Sequence, residues 1–192
     1  MTTLPVDRQT RLRPLSATDA DELYRLVDTN REYLRRWLPW LDSQRSRDDT
    51  LTFISSSNER TAKNECLILG IDHRDRLAGV TGFNHLDWAN RLGDIGYWLA
   101  ADLQGHGIVT ACCRRLLRHA FETIELNRVD IPVAVENARS RAIPERLGFQ
   151  LDGVLRDAEW LYDRWVDHAY YTLLRRDYLA ARPSPGPSSG AD

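Results

Sequence analysis

Apolar positions along the chain follow two rhythms, one helical and one alternating, and these divide it into elements. Arg11 to Leu15 reads as a short strand. Thr18 then caps a helix with Asp19 and Asp21 in its first turn, where the positive helix end favours them. Leu23, Leu26 and Val27 share the inner face of that helix. A second helical stretch covers 31–38 and ends before Pro39, because a residue that precedes proline avoids helical geometry. A third runs from Asp48 to Lys63, with Leu51, Phe53 and Ile54 as its apolar side.

Strands follow. Glu65 to Ile71 carries Leu67, Ile68, Leu69 and Ile71, and a polar turn at 73–76 links it to a strand over 77–83 in a hairpin pattern. Arg91 to Leu99 alternates Ile95, Tyr97 and Leu99 against Asp94, Gly96 and Trp98. A helix is expected from Gly107 to Thr123, then a buried strand over 128–135. Another helix spans Ser140 to Leu147 and stops at Gly148, a favourable residue just past a helix end. Strands over 154–161 and 168–174 close the order. Early hairpins followed by alternating strands and helices imply an α/β (α+β) domain, a mixed sheet with helices on both faces.

The length of 192 residues fits one domain, expected to cover 9–178. Residues 1–8 read as a flexible N-terminus and 179–192 as a disordered tail, because the Pro, Ser and Gly run over 183–190 cannot bury apolar surface. A net charge of -2 leaves no basic excess to neutralise phosphates, so no nucleic-acid partner is expected. The cysteines are Cys66, Cys112 and Cys113, an odd number without framework spacing, which points to a reducing compartment. Cys112 and Cys113 read as small apolar residues on a core-facing helix. The five histidines are scattered, so no metal site is expected. No stretch approaches the roughly 20 apolar residues of a membrane helix, and no signal peptide is evident. A cytoplasmic protein without membrane contact is the expectation.

The segment most informative about chemistry runs from Tyr97, Trp98 and Leu99 to Gln104, Gly105, His106, Gly107, Ile108, Val109 and Thr110. A strand ends, a glycine loop follows and a helix begins. Glycines admit positive φ and close backbone approach. Free N–H groups at the helix start favour an anion. It is not a Walker loop, because no Gly-Lys-Ser/Thr follows, and it lacks the third glycine of a dinucleotide fingerprint. A tight strand-helix turn without a ligand would look the same.

Gln104 to Val109 resembles the Gln/Arg-x-x-Gly-x-Gly/Ala signature of the GCN5-related N-acetyltransferase (GNAT) superfamily, with Val109 in place of the usual small residue. The chain is similar to the RimJ/RimL branch in segments 30–40, 94–99, 137–140, 145–149 and 153–156. The likeness covers residues 9–178 and implies a GNAT fold, a mostly antiparallel twisted sheet with splayed central strands. It implies acetyl-CoA, or a related acyl-CoA, as co-substrate, with its pyrophosphate on the backbone of Gln104 to Thr110. It implies that Tyr97 and Leu99 offer backbone groups to the pantetheine arm beside Trp98, as an added strand would. Asn137 would face that arm from the other side, or else satisfy its own turn.

By the same resemblance Glu159 is the general base and Ser140 the proton donor to the leaving thiolate. Ser140 is also placed to cap its helix, and Glu159 to be an exposed strand carboxylate. Pro144 departs from the family pattern but is expected in the first turns of its helix, where a missing N–H costs least. Trp37 and Trp40 would wall the acceptor pocket or pack the core between two helices, and Trp160, beside Glu159, would line the cleft. The branch points to the N-terminal α-amine of a protein or peptide as acceptor. A small-molecule amine is the alternative, and a non-catalytic acyl-CoA-binding module is a third reading. The resemblance also makes a homodimer an expectation.

Overall fold

The computed structural model describes residues 3–181. Among the described residues eight strands form one sheet in the order β1-β2-β3-β4-β5-β6-β8-β7. They are β1 (Leu4–Pro5), β2 (Thr10–Pro14), β3 (Leu67–His73), β4 (Arg76–Asp87), β5 (Leu92–Leu99), β6 (Arg128–Ala134), β7 (Gln150–Leu161) and β8 (Arg164–Leu174). Neighbours are antiparallel except β5 and β6. The helices are α1 (Ala20–Thr29), α2 (Arg31–Leu34), α3 (Arg47–Ala62), α4 (Ile108–Arg118), α5 (Ala138–Arg146) and α6 (Arg175–Ala180).

Strand alternation sends side chains to two cores, one on each face. In β3, Leu69 and Ile71 join Leu116, Phe121, Ile131 and Tyr171 on the α4 side. Ile68 faces the other way, with Leu23, Leu34, Ile54 and Val80 under α1 and α3. The sheet therefore has helices on both faces, as the element order implied. Cys112 and Cys113 are fully buried in α4.

Several expected boundaries move, each for a local reason. The turn before α1 starts at Ser16, not Thr18, and Ala17–Asp19 form a single 3-10 turn. Asp19 faces inward and accepts from both Arg13 Nη1 and Nη2 at 2.8 Å, a bidentate pair that ties the turn to β2. α2 stops at Leu34 rather than reaching Leu38. α3 buries Thr50, Ile54, Ser57 and Thr61, so a stripe of mostly small residues faces the sheet, and Leu51 and Phe53 lie half-buried beside it. α4 ends at Arg118 and passes into a π turn over His119–Thr123.

The expected flexible N-terminus is corrected in part: Leu4 is buried and pairs with Leu12. Its apolar side chain closes the sheet edge beside Leu12. The expected tail is corrected at its start, because Leu179 and Ala180 belong to α6, whose Tyr178 ring lies 4.9 Å from Phe121. The remainder of that tail, 182–192, lies outside the described residues. Among the described residues no helix is long and apolar enough to cross a membrane.

Candidate active site

The parallel ladder between β5 and β6 is short. It joins Leu92 to Arg128, Gly93 to Val129 and Asp94 to Asp130, and then the strands part. β6 continues against β8 as far as Ala134, while β5 continues against β4 as far as Leu99. A wedge-shaped gap opens between them. Backbone groups of successive strand residues point to alternate sides. Ala100 N donates to Ala78 O on the β4 side, and Gly96 O accepts from Thr81 there as well. The N–H and C=O of Tyr97 and Leu99 therefore face the gap. Leu99 O accepts one hydrogen bond there, from the Tyr33 hydroxyl at 3.1 Å.

Beyond β5 the chain makes a 3-10 turn at Ala101–Leu103 and enters the glycine loop. Ala101 N is held by Asn30 Oδ1 at 2.8 Å, so the junction of α1 and α2 holds the start of the loop. Gly105 and Gly107 have φ of 80° and 75°. A Cβ at either position would meet nothing within 4 Å, so left-handed backbone, not crowding, calls for glycine. Gly107 caps α4, whose first backbone bond runs from Ala111 N to Gly107 O. The amides of Ile108, Val109 and Thr110 precede that bond and project from the helix start. Gln104 Oε1 accepts from Arg139 Nη1 at 3.0 Å, which ties the loop to α5, and His106 is exposed.

α5 crosses the far end of the gap. Its N-cap is Asn137, whose Oδ1 accepts from Ser140 N at 3.2 Å. The cap expected at Ser140 is thus corrected: Ser140 sits three residues into α5 with its hydroxyl free of the cap. Ser140 Oγ donates to Tyr97 Oη at 3.1 Å, and Tyr97 Oη donates to Ser140 O at 3.1 Å. Burial pushes the Tyr97 hydroxyl far above its usual titration range, so it stays a neutral donor. Pro144 lies late in α5, not in its first turns as expected, and is buried.

Glu159 and His168 meet on the other wall. Glu159 Oε2 is 3.5 Å from His168 Nε2. A bulge in β7 brings them together: Leu155 pairs with His168, yet Glu159 pairs with Val166, so β7 spans four residues where β8 spans two. Asp157, at φ 50°, forms the crest, and its N–H donates to Asp167 Oδ1 at 2.9 Å.

Trp37 packs against Ala134, Leu161 and Val166. Val166 is opposite Glu159 in the ladder, so Trp37 packs on the face of the sheet that carries Glu159. Trp40 packs in the helical core with Trp98, ring centroids 6.3 Å apart. Trp160 does not join Glu159, because neighbouring strand residues face opposite sides. It stacks edge-on with its cross-strand partner Trp165 at 5.1 Å. There it lines an open depression of about 620 Å³ with Pro39, Asp42, Ser43, Arg45, Asp49 and Tyr162. Sequence reasoning passed over Tyr33, Asn30, Arg139 and His168, whose contacts arise between distant segments.

The acetyltransferase (GNAT) domain family matches residues 9–150 of this chain. YdaF of Bacillus subtilis (strain 168), named as a candidate ribosomal N-acetyltransferase, is 37% identical over 93% of this chain and 98% of its own. The ribosomal-protein-serine acetyltransferase of Escherichia coli (strain K12) is 30% identical over 90% of this chain and 96% of its own. Among solved structures, the ribosomal L7/L12 α-N-protein acetyltransferase RimL in complex with coenzyme A superposes with a TM-score of 0.88. It is 26% identical, over 92% of this chain and 99% of that one. The microcin C7 self-immunity acetyltransferase MccE, in complex with acetyl-CoA and AMP, gives 0.84 at 33% identity over 88% and 94%. A family match across most of the chain, on a fold that parts its sheet beside a glycine-capped helix start, makes this protein a member of the GNAT acetyltransferase family.

Proposed function

We propose that the protein transfers an acetyl group from acetyl-CoA to the N-terminal α-amine of a protein or peptide. The observation that carries this reading is the gap between β5 and β6, with the backbone of Tyr97 and the N–H of Leu99 facing it on one side and the α4 amides at its end. The donor supplies an acyl thioester. Its pyrophosphate fits the backbone from Gln104 to Thr110, where left-handed Gly105 and Gly107 leave open space in front of the helix start. The backbone of Tyr97 and the N–H of Leu99, flanking Trp98, face the gap and would pair with an extended pantetheine arm, while Leu99 O is held by Tyr33. Asn137 Oδ1 is engaged by its cap, so its Nδ2 is the donor left for that arm.

Glu159 takes the proton of the attacking amine, and Ser140 turns its hydroxyl proton from Tyr97 to the departing thiolate and regains one from solvent water. An α-amine titrates at about 7.7–8.0 against about 10.4 for a lysine side chain. A larger neutral fraction is thus ready to attack near pH 7, and a carboxylate base suffices. Trp37, packed against Leu161 and Val166, supplies the apolar lining on the face that carries Glu159, whereas Trp40 packs apart from it against Trp98 and Trp160 points to the opposite face of β7. The relatives named for ribosomal-protein acetylation support this acceptor class.

A small-molecule amine is the second reading, supported by the likeness to the self-immunity acetyltransferase MccE, solved with acetyl-CoA and AMP. Kinetics with acetyl-CoA and a panel of N-terminal peptides, free amines and aminoacyl nucleotides decide between them. Peptides with the highest kcat/KM uphold the proposal, and preference for a non-peptide amine overturns it. Glu159→Gln is expected to lower kcat/KM by about 10²–10⁴-fold, the range of a general base. Full activity of that variant across neutral and alkaline pH removes Glu159 from the mechanism. A homodimer would use the outer edge of β7, where Leu151, Val154 and Leu155 are exposed. Light scattering on the purified protein reads that state directly.

A further inference from the structure

We propose that His168 is a positioning residue that holds the Glu159 carboxylate in its reacting orientation, through contact of His168 Nε2 with Glu159 Oε2. This rests on the reading of Glu159 as the base. The two residues stand on unequal footing. His168 belongs to β8, which is paired on both sides, to Ala134 of β6 and to Leu155 of β7. Glu159 belongs to the outer strand and follows directly on the bulge, where the ladder is interrupted for three residues. A carboxylate just past such an interruption inherits its play. The nearby imidazole on a doubly paired strand is the rigid group that can limit it.

The surroundings fit this division of work. His168 faces Ala134 at the last pair of β6, at the wide end of the gap. Its side chain is 15% exposed and that of Glu159 30%, so the imidazole lies behind the carboxylate and the carboxylate lies towards solvent. At 3.5 Å the contact is longer than a formed hydrogen bond, as catalytic contacts often are before substrate binds. Once substrate closes that distance, an imidazole with its proton on Nε2 would donate to Oε2 and leave Oε1 for the amine. The proton lost by the amine as the new C–N bond forms passes to Glu159, and His168 keeps its own. Asp167, next in the chain, holds the crest of the bulge through Asp157 N, so two successive residues of β8 fix the path to Glu159 from both ends.

The test is steady-state kinetics of the full chain with acetyl-CoA and a peptide bearing a free N-terminal serine. His168→Leu is expected to lower kcat by about 10–100-fold, the loss that follows a misplacement of about 1 Å. KM for acetyl-CoA should stay within about twofold, because the cofactor loop lies elsewhere. His168→Gln, which returns a donor near the Nε2 position, should recover most of the lost kcat. The double variant Glu159→Gln/His168→Leu should be no slower than Glu159→Gln alone. Wild-type kcat in His168→Leu, no recovery in His168→Gln, or multiplied losses in the double variant would each overturn the proposal. Should Glu159→Gln itself keep full kcat/KM, the base assignment fails and this role falls with it. A crippled Glu159→Gln beside an intact His168→Leu sinks the His168 role alone. An independent readout uses the free protein: the His168 ring ¹⁵N signals should move in Glu159→Gln, and unchanged signals refute the contact.

Discussion

The Tyr97 hydroxyl donates to the Ser140 carbonyl that Pro144 is unable to bond. In an α-helix that carbonyl takes the N–H four residues on, and proline has none. A side chain from β5 thus completes the ladder of α5 across the gap. The same oxygen accepts from Ser140 Oγ and so orients the proposed proton donor. A proline that looks like a flaw in α5 is matched by a tyrosine on the opposite wall, and the contact ties α5 to β5 across the gap.

Tyr97→Phe should therefore leave Ser140 O unbonded and cost about 1–3 kcal/mol. Adding Pro144→Ala supplies the missing N–H and should return part of that stability. It should not return activity, because Ser140 Oγ still lacks its partner. Denaturant unfolding and kcat/KM on the two variants check both halves. A Tyr97→Phe protein as stable as the wild type refutes the pairing.

Gly105→Ala and Gly107→Ala test the loop. Left-handed backbone costs an alanine about 1–2 kcal/mol, and no neighbour crowds the added methyl. The fold should survive while affinity for coenzyme A drops by about tenfold or more, as the amides leave their alignment. Titration calorimetry measures the affinity and thermal melting the fold. Unchanged affinity in both variants would remove the loop from the cofactor site.

The loop was legible in the sequence because Gly105 and Gly107 mark positions where a backbone requirement outranks side-chain choice. The segments of the sheet were legible from alternation, and Cys112 and Cys113 from their place on a helix. Trp160 was legible in principle, since a residue next to Glu159 in a strand faces away from it. The cap of α5 fell to Asn137 rather than Ser140 because both residue types cap well and tertiary contact decided between them. The meeting of Glu159 with His168 was not legible at all. It depends on how many residues the bulge inserts, and only the register between β7 and β8 reveals that number. α6 and β1 escaped notice because each is short and gains its stability from packing on Phe121 or Leu12 rather than from a pattern of its own.

Asp19 should govern part of the acid stability. Burial works to raise its pKa, but bonds from Arg13 and Ser16 outweigh burial and hold it below the usual carboxylate range. A depressed folded pKa means stability that is present above the unfolded value of about 3.9 and lost as pH falls through the folded value. Asp19→Asn should lower neutral-pH stability by about 1–3 kcal/mol and flatten the loss of stability in acid. Urea midpoints measured from neutral to strongly acidic pH give the comparison. Parallel acid limbs in the two proteins would exclude Asp19 as their source.

The cysteines should be silent in the folded protein. Cys66, Cys112 and Cys113 are all buried and free. Burial pushes the Cys112 thiol up to about 12 and the Cys113 thiol higher still, so neither forms the reactive thiolate near neutral pH. An aromatic disulfide reagent should therefore report only the coenzyme A released by turnover, and react with the protein only after denaturant opens it. The rate of protein labelling should follow the unfolding equilibrium as denaturant rises. Rapid labelling of Cys112 or Cys113 in buffer would mean that α4 leaves the sheet far more readily than its packing against Leu69, Ile71 and Phe83 requires.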